Sequence, residues 1–341
     1  MIYNFISEVR NGGAEKVVLK LHGAMRSAKH CDTRLIVLKG DGNVENGLVS
    51  LGASRFYSIN SFLIFLSFVT KELKRGDVLH THLTPCQLYT FLLYPLLKLK
   101  RIKLVTTVHS LNTRRDNTFF GRMFNKYLYR SFDKVLCVSS TVQIYLISRY
   151  SLKNTIVVIN GVEKRFEKIS KPKDSIKFLS LSRLHKVKQI DKVISYFGRI
   201  NNSTSVLNIV GTGPEEKKLK DLVTNSNLKS IVFHGFSNNV DEHYSKNSVF
   251  IALSLHEGFG LSVLEAMSFG MPIIMSNIEI FKSLYSDYPK ELFIDDFEGF
   301  KNAVSFIQDN FEDIQRCCLE YANKYSFENQ MNLLMKIYKE E

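Results

Sequence analysis

Two carboxylates, Glu257 and Glu265, bracket the stretch EGFGLSVLEAM at residues 257–267. Gly258 and Gly260 leave room for the backbone N–H groups opening the next helix to meet an anion, while each carboxylate can accept from hydroxyls. Hydroxyls together with phosphates describe a nucleotide sugar. For Glu265 a purely structural reading also exists: Ser262 and Glu265 have the spacing of a capping box, in which the Glu returns to the N-cap amide. Glu257, on the loop ahead of the helix, has no comparable role beyond that of an exposed carboxylate.

A second cluster is cationic. Residues 182–188 read SRLHKVK and precede an apolar-periodic helix with Ile190, Val193, Ile194 and Phe197 on one side. The dipole already makes a helix N-terminus positive, so Arg183, Lys186 and Lys188 are poorly placed there unless an anion sits among them. Surface solvation is the competing reading. The strand-to-helix turn VGTGP at 210–214 permits close backbone approach through Gly211 and Gly213, and Pro214 suits a first helical turn. Its spacing is not GxGxxG, so a dinucleotide fingerprint is not supported. Gly12 and Gly13 follow the first apolar strand in the same manner.

These segments need a scaffold, and the hydrophobic rhythm supplies one. Short β-branched runs at 2–6, 35–38, 78–80, 104–108, 134–138 and 155–159 alternate with helical patterns, as βαβ units do. The rhythm restarts with runs at 176–181, 206–210, 231–233, 249–252 and 272–275. The charged stretch EKRFEKISKPK at 163–173 has no apolar period and reads as a linker. The expected organisation is a first domain at 1–162, the linker 163–173, a second domain at 174–322 and a C-terminal segment at 323–341 whose helix packs back on the first domain. Two doubly wound parallel sheets would place ligands in a cleft outside the carboxyl ends of their strands.

Length and composition agree: 341 residues, 45% hydrophobic, with 6 prolines, form a globular chain able to bury two cores. Five cysteines without CxxC spacing argue against a zinc cluster or disulfide framework and for a reducing cytoplasm. His80 and His82 lie near Cys86 but near no second cysteine. Asp295-Asp296 sits in an acidic stretch away from the other motifs and reads as a surface loop, leaving no metal site. The apolar runs are too short to span a bilayer. Net charge is +13, and it is uneven: residues 1–165 hold 25 basic against 10 acidic side chains, the remainder 21 against 23. The first half therefore expects an anionic partner, either membrane phosphates or nucleic acid.

The chain resembles the retaining glycosyltransferases of family 4, which have the GT-B fold. The resemblance runs through GGAEKVV (12–18), TTVHS (106–110), CVSS (137–140), INGV (159–162), SRLHKVK (182–188), VGTGP (210–214), HGF (234–236), EGFGLSVLEAMSFGMPI (257–273) and YSFENQ (325–330). It implies that Arg183 and Lys188 hold the donor diphosphate, that Glu265 accepts from the ribose, and that Glu257 and His109 lie by the transferred sugar. It further places Gly258, Phe259, Gly260 and Leu261 by sugar and phosphate, Gly211 and Gly213 in the nucleotide pocket, Gly235 and Phe236 at the base, and Gly12 and Gly13 on a loop that closes on the donor. Departures are Ser182 and Gln189 where the family favours glycine, and Leu253 where proline is frequent.

The expected reaction is metal-independent and needs no cofactor: a hexose or N-acetylhexosamine moves from a nucleotide sugar, UDP being the commonest carrier, to a glycan or lipid-linked acceptor of O-antigen, capsule or lipopolysaccharide. The diphosphate's developing charge would be met by fixed cations and helix amides. Basic residues from Lys98 to Arg130, interleaved with Phe119, Phe120, Phe124 and Tyr127, suit an anionic membrane surface, which implies a cytoplasmic protein held at the inner leaflet. The run 62–68 reads as core. Two other readings stay open at the level of sequence: a basic nucleic-acid-binding protein, which would leave the two-glutamate element unexplained, and an epimerase or non-transferring nucleotide-sugar binder of the same fold.

Overall fold

A computed structural model describes residues 1–9, 13–27, 32–40, 47–110, 116, 118–165, 169–172, 175–200 and 204–340. Gly12, Arg114 and Arg115 lie outside the described residues. Contacts divide the chain into two units, Met1–Gly161 with Phe327–Glu341, and Val162–Ser326.

In the first unit seven strands form a parallel sheet: β1 (Ile2–Glu8), β2 (Thr33–Lys39), β3 (Leu48–Ser50), β4 (Val78–His82), β5 (Lys103–Val108), β6 (Lys134–Cys137) and β7 (Thr155–Val157), in the order β3-β2-β1-β4-β5-β6-β7. The order reverses between β1 and β4, the switch point expected of a doubly wound sheet. Strand β3 was not evident from the sequence, because its three half-buried residues give too short a pattern. The run 62–68 lies on the helix Ile59–Lys71, where Phe65 is fully buried and stacks on Phe5 at a centroid distance of 4.4 Å. Phe68 is buried with Phe65, whereas Leu63 is exposed, so the run contributes one face to the core. The last helix, Phe327–Lys339, sends Met331, Leu334, Ile337 and Tyr338 into a cluster with Ile2, Leu21, Val78 and Val105. That helix is part of the first unit's core despite its distance along the chain.

The second unit has six parallel strands: β8 (Lys177–Leu181), β9 (Val206–Val210), β10 (Ile231–Gly235), β11 (Val249–Ala252), β12 (Ile273–Ser276) and β13 (Phe293–Ile294), in the order β10-β9-β8-β11-β12-β13. The two-residue β13 was also unseen in the sequence. Part of the stretch 163–173 packs on this unit. Ile169 is buried and accepts from Gln315 Nε2 at 2.8 Å, and the Arg165 guanidinium sits 5.2 Å from the Phe269 ring centre and pairs with Asp241. Asp296 caps the helix Phe297–Lys324 by accepting from the Gly299 amide at 2.8 Å, while Asp295 accepts from Asn277. The Asp pair is therefore structural. Both units are thus Rossmann-like, each a doubly wound parallel sheet.

Candidate functional site

Parallel strands deliver their following loops to one edge of a sheet, so the motifs after β8, β9, β10 and β11 meet in the second unit. The loop after β8 is tied to the loop after β9 by Ser182 N–H to Val210 O (3.1 Å), Leu184 N–H to Thr212 O (2.9 Å) and Glu215 N–H to Leu184 O (3.1 Å). This approach requires glycine. A Cβ on Gly211, whose φ is +132°, would lie 1.9 Å from Ser182 O, and one on Gly213 would lie 2.2 Å from Leu184 O. Gly211 N–H also donates to Gly235 O at 2.7 Å, which joins the β10 loop and the half-exposed Phe236 to the same edge. The helix here runs Glu216–Asn225, so Pro214 precedes it and does not occupy its first turn.

Beyond β8, Lys186–Lys188 form one turn of 3-10 helix, and Gln189 turns left-handed (φ +47°) before the helix Ile190–Arg199. That backbone conformation explains why glycine is favoured at this position: a side chain there costs roughly 1–2 kcal/mol. Leu255 N–H donates to Val187 O at 2.8 Å, holding the loop after β11 against the cationic turn. Across this contact the Lys188 ammonium is hydrogen-bonded to Glu257 Oε1, and Ser254 Oγ donates to the same oxygen at 2.8 Å. Arg183 is exposed and has no carboxylate partner among the described residues.

Gly260 adopts φ +82° and opens the helix Leu261–Ser268 without a side-chain cap, leaving the first-turn amides at the sheet edge. Ser262 therefore sits inside the helix, and the capping-box reading of Glu265 does not hold. Glu265 Oε2 instead accepts from the Tyr244 hydroxyl at 3.3 Å. Burial, and then the carboxylate beside it, push that phenol well above its usual range, so it keeps its proton. Arg183, Lys188, Glu257, Glu265, Gly258, Phe259, Gly260 and Leu261 thus share one edge with Gly211, Gly213, Gly235 and Phe236. The sequence reading missed Tyr244 and Ser254, whose only signal was their position in and after a strand-helix unit.

In the first unit, Gly13 begins the helix Gly13–Ser27 after β1, and His109 follows β5. His109 is not alone. Its Nε2 lies 3.4 Å from His82 Nδ1, and the His82 ring lies 4.1 Å from that of His80. His80 is held by the Tyr338 hydroxyl (2.6 Å to Nδ1) and Thr107 Oγ1 (2.7 Å to Nε2). Burial lowers His80 to about 3, His109 to about 4 and His82 well below its usual range, so all three are neutral at pH 7. Part of the signal for His82 was in the sequence, since residues 80 and 82 alternate onto one face of a strand; the pairing of β4 with β5, which sets His82 opposite Thr107, was not.

Among the described residues no group of three His, Cys, Asp or Glu side chains could hold a metal ion, and no helix is long and apolar enough to cross a membrane. Three lysines of the basic stretch 98–130 are engaged by the fold. Lys98 pairs with Asp133 at 2.5 Å, Lys100 donates to the carbonyls of Val69, Thr70 and Leu73 at 2.7–2.9 Å, and Lys103 donates to Ile337 O at 2.6 Å. Lys100 and Lys103 tie down helix ends, and Lys98 holds the loop ahead of β6. On the helix Phe119–Arg130, by contrast, Phe119, Phe120, Met123 and Tyr127 are exposed, Phe120 by 82%.

Family models agree with this architecture. The model described as Glycosyl transferases group 1 matches residues 161–318, and that described as Glycosyltransferase Family 4 matches residues 11–165. An Escherichia coli protein named O-antigen biosynthesis glycosyltransferase WclY is 27% identical over 244 residues, 64% of this chain and 66% of its own length. Sucrose-phosphate synthase from Thermosynechococcus elongatus superposes with a TM-score of 0.81 at 19% identity, covering 99% of this chain and 98% of that one. Anabaena HepE in complex with UDP-glucose superposes with a TM-score of 0.75 at 14% identity, covering 98% of each chain.

Proposed function

Since the chain belongs to the family 4 glycosyltransferases, we propose that it transfers a hexose or N-acetylhexosamine, with retention of configuration and without a metal, from a UDP-sugar to a glycan or lipid-linked acceptor. The pathway is the assembly of a cell-surface polysaccharide of the O-antigen, capsule or lipopolysaccharide type. One observation carries this reading: two cations, two carboxylates and a row of glycine-lined amides converge at the carboxyl edge of the second sheet. The name of the Escherichia coli relative supports the pathway, and UDP-glucose bound to the Anabaena protein supports the carrier.

Each group has a task. Arg183 and Lys188 take the diphosphate, and with the first-turn amides after Gly260 they meet the charge that develops on it as the glycosidic bond breaks. Glu265, oriented by Tyr244, accepts from the ribose hydroxyls. Glu257 orients Lys188 and the transferred sugar; its engagement by Lys188 and Ser254 favours positioning over nucleophilic attack. Gly211 and Gly213 let the nucleotide approach the backbone, with Gly235 and Phe236 at the base. In the first unit Gly12 and Gly13 contact the donor, and His109 hydrogen-bonds the transferred sugar. The exposed aromatics of the helix Phe119–Arg130, beside Lys126 and Arg130, support peripheral docking on an anionic inner leaflet, where a lipid-linked acceptor would reside.

Calorimetric titration with UDP, GDP and NAD, on the parent and on Arg183→Ala and Glu265→Ala, tests the reading. Saturable UDP binding weakened by both substitutions is expected. Binding of none, or variants that bind like the parent, would overturn the site. Donor hydrolysis or transfer separates a transferase from a silent binder.

A further inference from the structure

Strand β10 is the edge of the second sheet, and its pairing with β9 shifts register between Phe233 and Gly235, which leaves His234 as the extra residue just before the turn Gly235-Phe236. None of the proposed steps uses that histidine. Its Nε2 lies 2.7 Å from Asn208 Oδ1 on β9, Asn208 Nδ2 lies 2.8 Å from Asn247 Oδ1, and Asn247 Nδ2 lies 2.7 Å from the backbone oxygen of His243. Asn247 is buried and ends the helix Val240–Lys246, whose Tyr244 reaches Glu265. We propose that His234, Asn208 and Asn247 are positioning residues that tie the turn Gly235-Phe236 to this helix, and so hold the base-contacting turn in register with the carboxylate that takes the ribose.

The contacts themselves fix the direction of each link. A backbone carbonyl only accepts, so the Asn247 atom beside His243 O is the amide nitrogen, and Asn247 Oδ1 accepts from Asn208 Nδ2. Asn208 Oδ1 is then the atom that faces His234, whose Nε2 carries a hydrogen and donates. An edge strand is held from one side, and the bulge interrupts its ladder there, so side chains supply what the ladder lacks. From the backbone, Gly211 N–H donates to Gly235 O at 2.7 Å. One helix thus anchors both ends of a nucleoside site, through Tyr244 at Glu265 and through Asn247 at the β10 turn. What this does for the reaction rests on the reading that Gly235 and Phe236 border the base and that Glu265 takes the ribose. Contacts to the base hold ground state and transition state alike, so loosening the turn raises KM and leaves kcat in place.

Titration of the full chain with UDP and with pyrophosphate, hydrolysis of UDP-glucose, and amide hydrogen exchange test this on three variants. His234→Leu and Asn208→Leu each remove a link, whereas His234→Gln keeps an N–H for Asn208 Oδ1. Both leucine variants should weaken UDP binding and raise KM by roughly three- to tenfold, the scale of one hydrogen bond. Their kcat and their pyrophosphate affinity should stay within about twofold of the parent, since neither depends on the base. The amides of residues 233–237 should exchange faster in the leucine variants than in the parent, and His234→Gln should restore both the affinity and the protection. Unchanged UDP affinity in both leucine variants, an equal loss of pyrophosphate affinity, or unchanged exchange would each overturn the proposal. Should Asn208→Leu fail to fold, the two substitutions at the exposed His234 decide. A parent that binds no UDP would instead defeat the reading of the site, and hydrogen exchange would still report whether these side chains hold the turn.

Discussion

The Lys188 ammonium is hydrogen-bonded to the Glu257 carboxylate across the loops that follow β8 and β11, with Ser254 donating to the same oxygen. On the proposed function, a diphosphate at Lys188 would share this ammonium with Glu257. Glu257→Gln removes the competing charge, so UDP should bind as tightly as in the parent or more tightly, while sugar transfer falls at least tenfold. Lys188→Met should lower turnover by roughly 10²–10³, the scale seen when one donor to developing charge is removed. Calorimetry and a UDP-release assay on the two variants check this; equal losses of UDP affinity in both would contradict it.

Backbone geometry makes opposite predictions at two neighbouring loops. Gly211→Ala drives a Cβ into Ser182 O and should cost about 3 kcal/mol in urea unfolding, because two backbone segments must separate. Gln189→Gly relieves a left-handed side-chain position and should gain about 1 kcal/mol. A neutral Gly211→Ala would show that the two loops are not held together as described.

The buried histidines make the first unit sensitive to acid. Their folded values lie below the ordinary 6.5, so the unfolded chain binds protons that the folded chain refuses between about pH 6.5 and pH 4. Stability then rises with pH across that window and is lost as pH falls through it. Between pH 7 and pH 5 the expected loss is roughly 2 kcal/mol per buried histidine. Urea unfolding at the two pH values should show a smaller difference for His82→Asn than for the parent; identical differences would argue that His82 titrates freely.

For membrane docking, the exposed aromatics and the partnered lysines should behave differently. Phe119→Ser with Phe120→Ser should reduce co-sedimentation with anionic vesicles several-fold, and binding should weaken with salt. Lys100→Gln should leave vesicle binding unchanged and destabilise the chain by about 1 kcal/mol, since Lys100 satisfies three helix-terminal carbonyls. Vesicle binding that ignores lipid charge, or survives loss of both phenylalanines, would remove this surface from the proposal.

Much of the second unit was legible in the sequence because its signals are local. The apolar runs 176–181 and 206–210 and the glycines at 211, 213, 258 and 260 announce parallel strands whose loops come close to something, and they lie where the structure puts such loops. Short edge strands were not legible: β3 and β13 have three and two residues, too few for a period to show. Glu265 illustrates a local ambiguity, since its spacing from Ser262 fits a capping box until the helix is seen to begin at Leu261, one residue before the serine meant to cap it.

Side-chain type and spacing along the chain thus determined the strand-helix alternation and which residues could bind an anion or a hydroxyl. Only tertiary structure decided how those residues are paired. Parallel pairing of β8 with β11 brings Lys188 to Glu257, sixty-nine positions away, and pairing of β4 with β5 brings His82 to His109. The final helix closes the first core and supplies Tyr338 to His80, 258 positions away. The reason is physical: propensity and periodicity act over a few residues, whereas such contacts are set by strand order and by the burial that makes an unpaired polar group costly.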